Sequence, residues 1–310
     1  MRVAVMGAGG LGGLFGGLMA KAGHDVTFIA RGANLAALRE RGLILRLPDD
    51  EVRLQVPATD SASGIGPVDL VWFCVKTYDA DAAAQEIRPL IGNETVVLPI
   101  QNGVGTAEML TSVVGSEHVV GAVNLGGATM VAPGIVEVKA PRREVALGEL
   151  KGGQSPRLEG LASILAASGI GVHLKDDIQC EIWDKWVVVC VSLGLCALFR
   201  QPLAPIFANP ESILLAEGVM TEAVNVALAR GVNLPPGTVR RWMDYARERI
   251  ALNPSLAGSM YYDILQGRKL ELEAINGAAV RFGREAGVPT PLNFTVYAAL
   301  QPYLNGSTTG

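Results

Sequence analysis

At 310 residues and 49% hydrophobic content, the chain can bury a substantial core and is long enough for two domains. Its formal charge of −4, with no basic stripe interleaved with aromatics, argues against a nucleic-acid binder. No run of eighteen uncharged apolar residues is present, so no membrane span is expected, and the apolar start lacks the cationic leader of a signal peptide.

Arg2-Val3-Ala4-Val5-Met6 is an apolar run of strand length that stops at Gly7-Ala8-Gly9-Gly10-Leu11-Gly12. Leu11, Leu14, Phe15, Leu18, Met19 and Ala22 then recur at helical spacing, and a second apolar run, Val26 to Ala30, follows. Glycines at 7, 9 and 12 between a strand and a helix suit a dinucleotide-binding turn: the first for the tight bend, the second for close approach of a pyrophosphate, the third for helix–strand packing. A purely structural turn is the competing reading. At the end of the second strand, where an NAD site usually carries a carboxylate, stands Arg31. Its guanidinium fork suits a 2′-phosphate, so NADP(H) is favoured over NAD(H), against the plainer reading of a solvated surface arginine.

Leu43–Leu47 and Val52–Val56 predict a hairpin or strand pair at the sheet edge, turned by Pro48 to Glu51. Val68–Val75 is nearly continuous in apolar residues, as for a strand covered on both faces, and delivers Lys76 to its carboxyl end, where it meets cofactor or substrate charge or else only solvent. A helix over 81–90 and a buried strand over 94–100 follow. That strand ends in Gln101-Asn102-Gly103, a common turn in which the Asn102 amide is also suited to bonding a carboxamide and a carbonyl. A helix over 106–114, short antiparallel strands extending the sheet over 118–150 with Pro133-Gly134 and Pro141 as turn marks, a helix over 156–167 and a strand over 171–175 complete a first domain, 1–175.

From Asp176 the pattern is helical only, predicting a second domain over 176–310. Its first helix, 178–199, is long and apolar and carries Lys185, which must snorkel to water or face a polar cavity; in a partly desolvated cleft its pKa falls and it becomes a proton donor near neutrality. Further helices are expected over 211–230, 235–250, 256–267, 270–286 and 292–301, with a frayed tail from Asn305. Cys74, Cys180, Cys190 and Cys196 form no CxxC pair and read as reduced thiols of a cytoplasmic protein. His24, His118 and His173 lack metal-ligand spacing, so no metal is expected.

Taken together, the Gly7-to-Gly12 turn, Arg31, Cys74-Val75-Lys76, Gln101-Asn102-Gly103, Ile182-Trp183-Asp184-Lys185, Ser259-Met260 with Asp263, Glu271, Asn276-Gly277 and Pro289-Thr290-Pro291 resemble the ketopantoate reductase (2-dehydropantoate 2-reductase) family. The resemblance implies an α/β fold: an N-terminal Rossmann dinucleotide-binding domain and an all-helical C-terminal domain like that of 6-phosphogluconate dehydrogenase, with the active site in the cleft between them. It implies NADPH-dependent reduction of a 2-oxo acid to a 2-hydroxy acid, a role in pantothenate biosynthesis, and a homodimer as a family-level expectation. Lys185 falls where the family keeps its general acid. Asn102 is implied near nicotinamide and substrate, Ser259 at the substrate carboxylate, Glu271 on the nicotinamide or ribose side and near Lys185, and Lys76 on the cofactor side. Ala8, Gly10 and Leu11 complete the cofactor turn.

Family members committed to pantothenate synthesis have asparagines one and two turns after that lysine and three residues before the Ser-Met pair; here Val189, Leu193 and Leu256 stand there. A pocket lined by Val189 and Leu193 is more apolar, which moves the substrate more readily than the reaction type. A reductase of another small oxo or imino acid, and a sensor that holds NADPH without chemistry, therefore stay open.

Overall fold

The computed structural model describes residues 1–48, 50–138 and 143–306; the expected turn residues Asp49 and Pro141 and the last four residues of the expected frayed tail lie outside them. Contacts divide the chain into two compact units, Met1–Gln101 with Gly105–Gln179, and Asn102–Val104 with Cys180–Gly310. The boundary thus falls after Gln179, where the sequence suggests Lys175, and the Asn102–Val104 turn counts with the second unit.

Twelve strands lie among the described residues: β1 (Arg2–Met6), β2 (Asp25–Ile29), β3 (Leu43–Leu47), β4 (Asp50–Leu54), β5 (Ala58–Thr59), β6 (Leu70–Phe73), β7 (Val96–Pro99), β8 (Val120–Asn124), β9 (Thr129–Ala132), β10 (Ile135–Glu137), β11 (Glu144–Glu149) and β12 (Gly171–Leu174). The central sheet is parallel, in the order β5-β2-β1-β6-β7. Because side chains alternate across a strand, Val3 and Val5 enter one apolar core and Ala4 and Met6 another, on the opposite face. On the first face Trp72 stacks on Phe15 at 4.9 Å and its indole N–H donates to Met19 Sδ at 3.1 Å. Strand order reverses around β1, the switch point at which ligands gather beyond the carboxyl ends of a doubly wound sheet.

The pair β3–β4 forms as an antiparallel ladder, but it does not edge the parallel sheet. It belongs to a second sheet, β4-β3-β10-β9, that covers the helix Gly10–Lys21; the edge of the parallel sheet is the two-residue β5. Glycines on the outer side of that helix fit the difference: a Cβ on Gly17 would lie 2.6 Å from Leu45 Cδ1 and 2.8 Å from Leu43 Cδ2, so those side chains would have to give way for the second sheet to sit as close as it does. The 118–150 segment divides likewise. β8 and β11 pair antiparallel in a third sheet with β12, joined to β7 by the single bridge Val97–Val119, while β9 and β10 join β3.

The described part of the second unit is helical. The expected long helix forms, but in three pieces: α-helix Ile178–Val189, a π-helical turn Cys190–Leu195, and α-helix Cys196–Phe199. The expected helix over 270–286 is a 3-10 turn, Leu272–Ala274, followed by the helix Asn276–Ala286. By length and by the mean hydropathy of an eighteen-residue stretch (1.8 and 1.4), Ile178–Phe199 and Pro210–Ala229 are each long and apolar enough to cross a membrane. Much of that apolar surface lines the unit's own core, through Val187, Cys190, Leu195, Val219, Met220 and Val226.

At the β1 turn, a Cβ on Gly12 would sit 2.1 Å from the Gly7 carbonyl oxygen, whereas nothing lies within 4 Å of one on Gly9. Gly12→Ala should therefore cost about 1–3 kcal/mol in urea unfolding and Gly9→Ala less than about 1 kcal/mol. Equal losses would show that backbone crowding is not what requires Gly12.

Candidate active site

The first unit assembles its candidate residues by register. Met6 pairs with Ile29 on one side and Phe73 on the other, so the chain leaves all three strands at one level. Gly7 turns there with φ +96°, and a Cβ on it would lie 2.8 Å from the Val75 amide nitrogen. Its N–H donates to Ile29 O at 3.1 Å. Ala8 is buried and its carbonyl accepts the Asn34 amide at 2.8 Å, while Asn34 Oδ1 accepts from Gly134 N at 2.8 Å, which braces the turn.

Gly9 caps the twelve-residue helix that begins Gly10-Leu11-Gly12, and the first backbone N–H groups of such a helix have no carbonyl within it to reach. A dinucleotide pyrophosphate fits this arrangement: amides with no carbonyl in the helix, the positive end of a helix dipole, and open space at Gly9. Gly10 is crowded from the other side, since its Cβ would lie 2.2 Å from Ala128 O.

Arg31 stands at the end of β2 as expected, with its side chain 65% exposed and Nη2 2.7 Å from Glu86 Oε2. The sequence offers no spacing signal for that partner, which arrives from the helix Ala80–Glu86. Lys76 is half-buried and caps the 3-10 turn Thr77–Asp79 just beyond β6. Gln101, at the end of β7, has both polar atoms of its amide buried with no hydrogen-bond partner among the described residues, as befits a group awaiting a polar ligand or water.

The second unit collects the remaining candidates. Lys185 is half-buried on the helix Ile178–Val189, and desolvation brings its pKa down to about 8. Its neighbours fix the helix from two sides. Asp184 accepts from Trp242 Nε1 at 3.2 Å and pairs with Arg241, and Trp186 Nε1 donates to Ile275 O at 3.3 Å. Glu271 is 5% exposed, at the start of the 3-10 turn Leu272–Ala274.

Asn102 is half-buried in the turn whose Gly103 backs onto Ala274, where a Cβ would meet its carbonyl oxygen at 2.6 Å. The fold thus brings the Asn102 turn against the segment that follows Glu271. Ser259 is exposed at the first position of the helix Ser259–Leu265. The preceding Gly258 donates to Ser192 O at 3.1 Å, and the Leu193 side chain lies 2.9 Å from where a Gly258 Cβ would be. Val189 and Leu193 are 6% and 4% exposed and belong to the unit's core, with Leu256 packed on it half-buried.

Chemically, the first unit offers amides and cations for an anionic dinucleotide, and the second an amine of lowered proton affinity, a buried carboxylate, a hydroxyl at a helix start and an amide. The π-helical turn between Lys185 and the end of its helix is the feature the sequence does not announce.

The family model described as ketopantoate reductase PanE/ApbA matches residues 3–152, and its C-terminal companion matches residues 177–304. A 2-dehydropantoate 2-reductase of Archaeoglobus fulgidus is 32% identical over 295 residues, covering 95% of this chain and 95% of the relative. Among solved structures, a PanE/ApbA family ketopantoate reductase from Ralstonia eutropha JMP134 superposes with a TM-score of 0.90 at 31% identity, covering 98% of each chain. A D-mandelate dehydrogenase solved with NADH and anilino(oxo)acetate superposes with a TM-score of 0.89 at 25% identity, again covering 98% of each chain. With both halves of the family matched and the Rossmann and helical units in place, the chain belongs to the ketopantoate reductase family.

Proposed function

We propose that this chain reduces a 2-oxo acid to the 2-hydroxy acid with NADPH, with ketopantoate as the first substrate to test and Lys185 as the proton donor. The observation that carries the reading is Lys185 itself: an amine whose pKa desolvation brings to about 8, on a helix oriented through both neighbouring residues. When bound, the reduced nicotinamide supplies a hydride to the carbonyl carbon. Lys185 Nζ–H hydrogen-bonds the carbonyl oxygen and gives it a proton as negative charge develops there. The Ser259 hydroxyl donates to the substrate carboxylate, the Asn102 amide orients the carbonyl and the carboxamide, and the Glu271 carboxylate stabilises the charged form of Lys185.

On the cofactor side, Lys76 and the Gly7–Gly12 turn hold the phosphates and Arg31 reads the 2′-phosphate. The Arg31–Glu86 pair does not oppose this. An exposed ion pair is worth about 0–1 kcal/mol, whereas hydrogen bonds to a charged phosphate contribute about 1.5–3 kcal/mol, so the phosphate wins Arg31 from Glu86.

A second reading concerns the substrate alone. Val189 and Leu193 are buried apolar side chains, and a D-mandelate dehydrogenase is among the structural neighbours. Both favour a 2-oxo acid with a bulkier apolar side chain over one whose hydroxyl needs partners.

NADPH oxidation with ketopantoate, beside aryl and branched 2-oxo acids, tests both readings. Turnover of ketopantoate supports the first and turnover confined to apolar acids the second, while NADPH binding with no turnover of any acid rejects both. Because the donor must carry its proton, kcat should hold level below pH about 8 and fall with rising pH above it; Lys185→Ala should lose about 10²–10⁴-fold in kcat and abolish that limb. A wild-type rate in Lys185→Ala would remove the lysine from the chemistry. In fluorescence titrations, Arg31→Ala should weaken NADPH by about tenfold or more and NADH by less than about threefold, and Glu86→Gln should tighten NADPH alone. Equal weakening of both cofactors by Arg31→Ala would show that Arg31 does not read the phosphate.

A further inference from the structure

The π-helical turn Cys190–Leu195 interrupts an otherwise continuous helix one turn after Lys185. A π-turn adds one residue to a helical turn, so everything beyond it is rotated by about 100° relative to an unbroken α-helix. Such a turn is intrinsically less favourable than α-helix and needs partners for the groups it displaces.

Here the partner comes from outside the helix. Asn276 is fully buried and its side-chain N–H group donates to Cys190 O at 3.2 Å. Its Oδ1 lies 2.2 Å from where a Cβ on Gly194 would be, so the amide is pressed against the turn at a residue with no side chain. Within the π-turn Cys190 O pairs with the N–H five residues on, at Leu195, where an α-helix would pair it with Gly194, and Asn276 adds a side-chain donor to that same oxygen.

Asn276 is itself held. Its Nδ2 also donates to Asn293 Oδ1 at 3.0 Å; Asn293 Nδ2 donates to Val219 O at 3.1 Å and to Glu222 Oε2 at 2.8 Å. Glu222 additionally accepts the backbone N–H groups of Leu292 and Asn293. Just ahead of Asn276, Ile275 O accepts from Trp186, the residue after Lys185. The 275–276 segment therefore grips the helix at two levels, beside Lys185 and at the π-turn.

Beyond that grip, Ser192 O of the turn accepts from Gly258 N, the residue that precedes Ser259. A Cβ on Gly258 would come within 2.2 Å of that oxygen. The turn thus links the Lys185 helix to the start of the helix carrying Ser259.

We propose that Asn276 is a positioning residue for this site, holding the π-turn open and thereby fixing Lys185 and Ser259 in register with each other. The inference rests on the proposed reductase reading for its catalytic consequence, and on the fold alone for its structural one. Asn276→Leu removes the grip, and Gly194→Ala displaces it without removing the amide, which keeps the test open where the first variant fails to fold. Asn293→Leu is the comparison: it breaks the same buried network but leaves the bond to Cys190 O.

The measurements are kcat and KM for ketopantoate or whichever 2-oxo acid the wild type turns over best, NADPH affinity by fluorescence, thermal unfolding, and hydrogen–deuterium exchange of the peptide spanning Lys185–Leu195. Asn276→Leu and Gly194→Ala are expected to lower kcat per folded molecule by about 10- to 100-fold, to leave NADPH affinity within about twofold, and to speed exchange in that peptide. Asn293→Leu is expected to lower the melting temperature while kcat stays within about threefold and exchange in the peptide is unchanged. Wild-type kcat in the folded Asn276 and Gly194 variants, or an equal loss of kcat in Asn293→Leu, overturns the proposal. A wild-type protein that binds NADPH and turns over no 2-oxo acid overturns the reductase reading; the π-turn inference then stands or falls on the exchange rates.

Discussion

The tightest constraint in the first unit is the contact of two backbones. The Gly7 carbonyl and the first turn of the helix Gly10–Lys21 approach so closely that a single methyl on Gly12 would overlap the oxygen. From that contact the rest follows. The helix must start directly above the end of β1, its N–H groups face the switch point, and the second sheet can descend on the helix's glycine-lined outer side. Parallel register then brings the ends of β2 and β6 level with β1, so Arg31 and Lys76 are delivered to one edge by pairing geometry. Rigid strands set position here, and the residues just past them are free to vary in what they read.

The second unit solves a different problem with different means. An apolar helix packed among apolar helices is poorly determined in rotation, because hydrophobic contact has no direction. Buried hydrogen bonds supply the direction. Each of the donors and carboxylate oxygens paired in the Asn276–Asn293–Glu222 network would cost about 1–3 kcal/mol if its partner were lost, so few arrangements of the surrounding helices compete with the observed one. Glu222 serves twice, since its carboxylate also meets the first N–H groups of the helix Pro291–Leu300, where the helix dipole favours negative charge.

What the sequence discloses and what it hides follows from the range of the interactions. The glycine turn, the strand at 70–73 and the helices at 106–114 and 156–167 are encoded in neighbouring residues, and local periodicity finds them. Placement of β3 and β4 depends on which surface accepts them, which strand-length alternation does not reveal; only the bare side of a glycine-rich helix hints at it. The π-turn leaves no local trace because its cause, Asn276, lies 86 residues beyond Cys190. For the site the division is similar. Gly7, Arg31, Lys76 and Lys185 are visible from their positions at strand ends or in an apolar helix, whereas Glu86, Gln101 and the environment of Val189 and Leu193 require the folded chain.

Apolar surroundings at Lys185 connect acid strength to selectivity in the proposed reaction. A lysine at its ordinary value near 10.5 holds its proton too firmly to give it up readily; at about 8 it is still mostly protonated at neutral pH and a much better donor. Desolvation by burial is the cause of that change. Val189 lies four residues on and therefore on the same face of the helix. An amide at that position would solvate the ammonium and a substrate hydroxyl alike. In the proposed site, valine at that position offers a polar substrate no such partner. In the proposed reaction, burial of Lys185 and the apolar Val189 one turn on bear on the same substrate: the first makes the amine a readier donor, and the second gives a polar substituent no partner.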